Sequence, residues 1–337
     1  MPVLAVENLS VTYRTARGPV HAVDRVSFSL EGGDSLGLVG ESGCGKTTIG
    51  KALLRILPEG AIGPKSRIVF EGQDLLSLGA NEMRAIRGRR IGLIPQSAMN
   101  ALDPVVRVSA LIREAMAVHG LAGGRAAEER IKSLFAAVGL DPDRRAHYPH
   151  MFSGGMRQRA TIALAFALEP TFLIADEPTT GLDVIVQDQV LKELAKLVRQ
   201  RGTTFIIITH DIGVVAEHCR RVAVMYAGRV MEIGPTADVL VEPTHPYTMG
   251  LQNGFLGLRG AYREIVSIPG APPSLSEIHP GCPFCDRCPF AEAVCRSEVP
   301  PLAEVAPGHF SACHFRDRAA ALRAQSAEPE TWGRRLA

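Results

Sequence analysis

Apolar and polar positions change rhythm several times along the chain. Between residues 3 and 30 they alternate, in Val3–Val6, Leu9–Tyr13 and Ala22–Leu30, and period-two alternation predicts half-buried strands of a small antiparallel sheet. Gly18-Pro19 supplies a turn signal between them. Ser35–Val39, Arg90–Ile94, Thr171–Ala175 and Thr204–Ile208 are of another kind. They are short continuous apolar runs, as in strands covered on both faces. Ile49–Leu57 follows the first of them and Val184–Arg201 separates the last two, both with helical patterning, so the rhythm is that of a parallel sheet with helices. From about Pro104 to Leu168 the period lengthens; Ile131, Leu134, Phe135 and Val138 keep the i, i+3, i+4, i+7 spacing of a helix face. Arg221–Ile233 reads as a hairpin turning at Ala227-Gly228. Beyond Gly234-Pro235 prolines become frequent and periodicity fades, which marks a boundary near residue 234. Ala319–Ala337, rich in alanine, arginine and glutamate, reads as a frayed helix or a disordered tail.

Composition narrows the class. A chain of 337 residues with 46% hydrophobic and 21% charged positions is an ordinary globular protein of one large domain or two. The net charge of +2, 37 basic against 35 acidic residues, gives no footprint for non-specific nucleic-acid binding. Apolar runs such as Ala160–Leu168 fall well short of the roughly 20 residues that span a bilayer. Glu7 comes early and no basic segment precedes an apolar one, so no secretory signal is expected and the cytoplasm is the expected compartment. Of seven cysteines, Cys44 and Cys219 stand alone and five crowd between residues 282 and 313. In a reducing compartment such a cluster suggests a metal or iron–sulfur site rather than disulfides.

Three segments carry candidate chemistry. Gly40-Glu41-Ser42-Gly43-Cys44-Gly45-Lys46-Thr47 is a complete G-x-x-x-x-G-K-[ST] phosphate loop between a buried strand and a helix. Backbone N–H groups and the helix N-terminus point at one place there, which suits a triphosphate; Lys46 reaches the β and γ phosphates and Thr47 ligates Mg²⁺. Thr48 follows as a further nucleotide-binding candidate. Asp176 and Glu177 leave the C-terminal edge of a buried strand, where one carboxylate can hold Mg²⁺ and the other can orient or deprotonate water. Phe152-Ser153-Gly154-Gly155-Met156, ahead of an expected amphipathic helix Arg157–Leu168, offers an N-cap serine and bare glycine N–H groups, a second anion site in one chain.

Taken in order, these segments resemble the ATP-binding-cassette (ABC) ATPases over residues 3–240. Gly40–Thr47 resembles their Walker A motif, Ile174–Pro178 their Walker B, and Phe152–Gln158 their signature. Thr179–Asp183 resembles the D-loop, Gln96 the Q-loop glutamine, His210 the switch histidine and Tyr13 the aromatic that stacks on adenine. The resemblance implies a P-loop α/β core with a parallel sheet, an antiparallel β subdomain and a helical signature subdomain at about 97–168, the cassette occupying 1–234. It also implies two subunits paired head to tail, each ATP lying between one Walker A and the partner's signature. Lys46 and the loop amides then hold phosphates, Thr47 and Asp176 hold Mg²⁺, and Glu177 is the general base. His210 contacts the γ-phosphate, and Gln96 senses metal and water. Ser153, Gly154, Gly155 and Met156 serve the partner's nucleotide. Phe152 and Met156 depart from the usual Leu-Ser-Gly-Gly-Gln; Met156 lacks the glutamine amide.

His245-Pro246-Tyr247-Thr248 and the segment Gly281–Phe315 resemble the ATPase subunits of oligopeptide/dipeptide importers. That branch holds a [4Fe–4S] cluster on C-x5-C-x6-C-x17-C, matched by Cys282, Cys288, Cys295 and Cys313, with Cys285 extra. Four thiolates also suit Zn²⁺, which stays open as the alternative. An accessory, cysteine-rich C-terminal region at 235–318 and a tail at 319–337 complete the expected layout. The resemblance further implies two membrane permease subunits, a second, related ATPase, an indirect role for an extracytoplasmic binding protein, and a place at the cytoplasmic face of the inner membrane. Peptides are the implied cargo; nickel, glutathione or oligosaccharide import are alternatives, and a soluble cassette ATPase acting on nucleic acid or ribosomes is the alternative from another class.

Overall fold

The computed structural model describes residues 2–96, 101–121, 123–255, 267–277 and 279–333. Along the chain come β1 (Leu4–Thr15), β2 (Gly18–Leu30), β3 (Ser35–Val39), α1 (Lys46–Leu53), β4 (Arg67–Phe70), β5 (Gln73–Asp74), α2 (Ala80–Ile86) and β6 (Ile91–Ile94). They are followed by α3 (Val108–Val118), α4 (Arg125–Ala137), α5 (Gly154–Ala165), β7 (Phe172–Asp176), α6 (Val184–Arg201), β8 (Thr204–Ile208) and α7 (Ile212–His218). The chain ends with β9 (Arg221–Tyr226), β10 (Arg229–Pro235), α8 (Thr236–Val241), α9 (Pro246–Phe255), α10 (Ala293–Ser297), β11 (Ala303–Ala306), β12 (His309–Ser311), α11 (Ala319–Ser326) and α12 (Pro329–Gly333). They divide between two compact units.

The first unit comprises Met1–Leu4, Ser29–Ser35 and Val69–Ile208. Its strands β6, β7 and β8 run parallel, with Ile91 opposite Phe172 and Phe172 opposite Thr204. Every residue of β7 and β8 is buried, as continuous apolar runs require when helices cover both faces. Ile112 and Met116 of α3, Ile131, Leu134 and Phe135 of α4 and Ile162 of α5 are buried in the helical part. Polar ties lock it: Arg130 donates to the Ala167 carbonyl at 2.8 Å, and Arg159 of α5 pairs with Glu193 of α6 at 3.2 Å.

The second unit comprises Ala5–Phe28, Leu36–Ile68 and Thr209–Ala337. Here β2 neighbours β1, and β3 runs parallel to β9, with Leu36 opposite Arg221 and Val39 opposite Val224. The hairpin β9–β10 turns at Ala227 and Gly228, whose φ of 47° and 79° give the left-handed pair that a two-residue turn between twisted strands favours. The sheet then continues into the cysteine-rich region: β12 pairs antiparallel with β10, Ser311 opposite Glu232, and β11 pairs with β12.

Four expectations change. The N-terminal alternation forms two long strands rather than three short ones, and the turn falls at Ala16-Arg17, leaving Gly18 and Pro19 at the start of β2. The signature helix begins at Gly154, and buried residues occur all around it (Gln158, Ala160, Thr161, Ile162, Ala163), so it is enclosed rather than amphipathic. The described part of the tail forms α11 and α12. Ala319 and Leu322 pack on Met249 of α9, beside Phe290 and Phe315, and buried Trp332 donates to the Ser326 carbonyl at 2.9 Å. Residues 97–100, where the helical subdomain was expected to begin, and 334–337 of the tail lie outside the described residues.

Candidate functional site

The phosphate loop is built in the second unit, between β3 and α1. Gly45 caps α1 with φ of 103°, and a Cβ there would stand 2.1 Å from the Ala22 carbonyl oxygen, so neither the conformation nor the space admits a side chain. Lys46 is buried, and its Nζ donates to the carbonyls of Gly40 at 2.8 Å and Glu41 at 2.9 Å. This folds the ammonium back over the loop, where an anion with stronger acceptors can recruit it. The Gly228 N–H of the β9–β10 turn donates to the Cys44 carbonyl at 3.0 Å, fixing the loop from below. Cys44 is buried, which raises its thiol above the usual range even beside Lys46; it fills space rather than reacting. The Tyr13 hydroxyl lies 3.3 Å from Thr48 Oγ1, so the expected adenine-stacking residue reaches the same helix as Thr47 and Thr48. Thr209 N–H donates to the Leu38 carbonyl at 3.1 Å, which sets exposed His210 near the end of the strand that feeds the loop.

The carboxylates stand in the first unit. Asp176 ends β7 and is 7% exposed, and Glu177 follows with a left-handed backbone, φ of 45°. A non-glycine residue in that region costs free energy and persists only when its surroundings fix it. They do: Glu177 N–H donates to the Ile208 carbonyl at 2.8 Å, Thr180 Oγ1 donates to Glu177 Oε2 at 2.9 Å, and Gln96 Nε2 donates to the same oxygen at 3.3 Å. Gln96 and Glu177, 81 positions apart, are thereby brought together. Asp183 accepts from Val186 N–H at 3.0 Å and caps α6. In the signature, Ser153 caps α5 by accepting from Met156 N–H at 3.3 Å. A Cβ on Gly155 would sit 2.5 Å from Val186 Cγ1, so this glycine lets the signature helix close on α6.

The cysteine-rich region reaches the phosphate loop inside the second unit. Arg287 Nη1 lies 2.9 Å from both carboxylate oxygens of Glu41, and the Tyr247 hydroxyl accepts from Glu41 N–H at 3.1 Å. Tyr226, Tyr247 and Phe284 pack as an aromatic cluster, with ring centroids 4.7–5.3 Å apart. A second hub is Glu232, fully buried, which accepts from Thr244 N–H and Oγ1, His245 N–H and His309 Nε2 at 2.7–3.0 Å. Sequence reasoning missed Arg287 and Glu232. Arg287 lies 246 positions from Glu41, and no local pattern marks such a pair.

Cys282, Cys288, Cys295 and Cys313 are buried and Cys285 half-buried. Burial, and then the neighbouring cysteines, push the Cys282 thiol up to about 12 and the Cys313 thiol up to about 11. Cys288 is raised by the same causes. Among the described residues, no three His, Cys, Asp or Glu side chains converge closely enough to hold a single metal ion. No helix of the described residues is long and apolar enough to cross a membrane.

Comparison with known proteins places this geometry. The family model described as "ABC transporter" matches residues 23–180, and that described as "Oligopeptide/dipeptide transporter, C-terminal region" matches residues 231–295. The dipeptide transport ATP-binding protein DppD of Bacillus subtilis is 44% identical over 323 residues, covering 94% of this chain and 96% of its own. The oligopeptide transport ATP-binding protein OppD of Salmonella typhimurium is 44% identical over 313 residues, covering 92% of each. Among solved structures, the dimeric bacterial ABC transporter cassette MJ0796 aligns with a TM-score of 0.62 at 25% identity, over 69% of this chain and 98% of its own. CbiO1 of Clostridium perfringens, part of the ABC transporter complex cbiONQ, aligns with a TM-score of 0.62 at 26% identity, over 77% and 95%.

Proposed function

The chain belongs to the ABC transporter ATPases, in their oligopeptide/dipeptide branch, and from that premise we propose how its residues drive peptide import. It is the ATP-hydrolysing subunit of a peptide importer. The observation that carries this is identity near 44% to peptide-transport ATP-binding proteins along almost the whole chain, the C-terminal region included.

ATP binds with its phosphates in the loop Gly40–Thr47, where the amides of Ser42, Gly43, Cys44 and Gly45 and the Lys46 ammonium supply the positive potential. Tyr13 stacks on the adenine, and Thr48 borders the site. Thr47 and Asp176 are the residues that would hold Mg²⁺, whose chemistry is to neutralise charge building on the β and γ phosphate oxygens. Glu177 is the general base: its carboxylate takes the proton of the attacking water as the new O–Pγ bond forms and the bond to the β-phosphate oxygen breaks, releasing ADP and phosphate. The hydrogen bonds from Thr180 and Gln96 aim that carboxylate, and Gln96 reports the state of the site to the membrane subunits. His210 contacts the γ-phosphate. Ser153, Gly154, Gly155 and Met156 act on the nucleotide of a partner ATPase, with Asp183 at the same junction.

The cassette 1–234, with its helical subdomain at about 97–168, docks on two permease subunits at the cytoplasmic face of the membrane, paired with a second ATPase. The extracytoplasmic binding protein delivers peptide, which never touches this chain. In the region 235–318, Cys282, Cys288, Cys295 and Cys313 are the residues that would hold a [4Fe–4S] cluster. All four thiols are buried, and neighbouring cysteines raise the pKa of Cys282, Cys288 and Cys313, which supports this reading. A bound cluster would supply a four-point cross-link, with no sequence reason to assign it electron transfer.

The test is uptake of a labelled dipeptide and oligopeptide by cells deleted for this gene and complemented with it. Restored uptake by wild type but not by E177Q is expected. Unchanged uptake in the deletion strain, with all close paralogues removed, would overturn the peptide assignment.

A further inference from the structure

Glu41 is an awkward residue for its position. It lies inside a loop whose task is to gather positive potential around a triphosphate, and a carboxylate there repels the ligand by the same Coulomb law that lets Lys46 attract it. Two groups from the C-terminal region grip this one residue. The Tyr247 hydroxyl takes its main-chain N–H, and Arg287 Nη1 stands 2.9 Å from each of its carboxylate oxygens. The arginine is fixed on every side: Nε donates to the Pro269 carbonyl at 2.9 Å, Nη2 to the Ile268 carbonyl at 3.3 Å, Nη1 also to the Tyr226 hydroxyl at 3.1 Å, and its guanidinium lies over the Tyr226 ring at 5.6 Å. Its side chain is 8% exposed against 26% for Glu41. A desolvated, hydrogen-bonded charge pair is screened little by salt and holds one geometry.

We propose that Arg287 is a positioning residue for nucleotide binding: it neutralises and immobilises Glu41, so that the C-terminal region sets the affinity of the phosphate loop for ATP. This rests on the ATPase reading above. It assigns the accessory region a thermodynamic role at a loop residue 246 positions away from Arg287 in the sequence. A plain structural staple would need no carboxylate in the loop; here the carboxylate creates the need for the arginine.

The dependence on Glu41 gives the test. Equilibrium binding of ATP and of a fluorescent ATP analogue is measured on the full-length protein, together with KM, kcat and the melting temperature without nucleotide. R287M should weaken binding about 10-fold and raise KM more than it lowers kcat, and added salt should shrink the deficit because it screens the unmasked carboxylate. In the E41Q background the same R287M change should cost less than about 2-fold, since no charge remains to be neutralised. Equal affinity of R287M and wild type overturns the proposal, and so does an R287M loss that persists undiminished in the E41Q background, which would mark Arg287 as structural only. Should R287M fail to fold, R287K keeps the charge without the fork. It should show a smaller loss that E41Q again removes, and a loss that E41Q leaves intact overturns the proposal. Absence of ATP binding by wild type would instead overturn the ATPase reading itself.

Discussion

Glu177 combines a strained backbone with two donors on one carboxylate oxygen, and this makes its replacement informative. Gln in its place keeps a carbonyl oxygen for the Thr180 hydroxyl and Gln96 amide, so the geometry survives while the basicity is lost. Glu177→Gln should therefore retain ATP affinity and lose hydrolysis by about 10²-fold or more, the usual scale for removing a positioned general base. Single-turnover and steady-state ATPase assays check this; turnover within a few fold of wild type would remove Glu177 from that role. Lys46 lends itself to the complementary experiment. Lys46→Ala removes the ammonium now held by the Gly40 and Glu41 carbonyls, and should weaken ATP binding at least about 10-fold, read by titration with the labelled nucleotide.

Among the elements, those whose causes are local were legible from the sequence. The runs at Val184–Arg201 and Thr204–Ile208 appear as α6 and β8 with the expected bounds, because an amphipathic helix and a fully covered strand each declare themselves within a few residues. The phosphate loop, the β7 edge and the Ala227-Gly228 turn were legible for the same reason. The signature helix was misread as amphipathic, since being enclosed depends on neighbours such as α6 that arrive later in the chain. The Glu41–Arg287 pair and the Glu232 hub were illegible altogether, each being a tertiary coincidence of distant residues. That hub gives an element-scale prediction. His245 is buried between β10 and α9, its Nδ1 accepts from Tyr247 N–H at 3.0 Å, and burial lowers its pKa to about 4 against the attraction of Glu232. The folded value lies below the unfolded one, so the stabilisation is complete above about pH 6.5 and is lost as pH falls toward 4, by at most about 3 kcal/mol. His245→Asn keeps an acceptor for the Tyr247 N–H but does not titrate. The melting temperature of wild type should fall more steeply than that of H245N between pH 6.5 and 4; parallel curves would contradict the burial argument.

At the scale of the molecule, the accessory region is continuous with the cassette rather than appended to it. Its strand β12 extends the sheet edge of β10, its helix α9 packs against α11, and its Arg287 reaches Glu41 of the phosphate loop. Protein purified without oxygen should carry about four irons and four sulfides per chain and absorb in the visible, and Cys288→Ser should abolish both. A colourless protein binding zinc with the same cysteines would replace the cluster by a mononuclear site.

The Glu232 hub also dictates where this chain can be cut. Ending the polypeptide after Val241, to imitate a minimal cassette, would strip a fully interred carboxylate of Thr244, His245 and His309 together and bare the flank of β10 to any passing strand. Such a shortened protein should precipitate on synthesis, whereas one ending at Gly333 should stay in solution. A soluble, monodisperse 1–241 fragment in size-exclusion chromatography would show that the nucleotide engine had evolved a self-sufficient border after all.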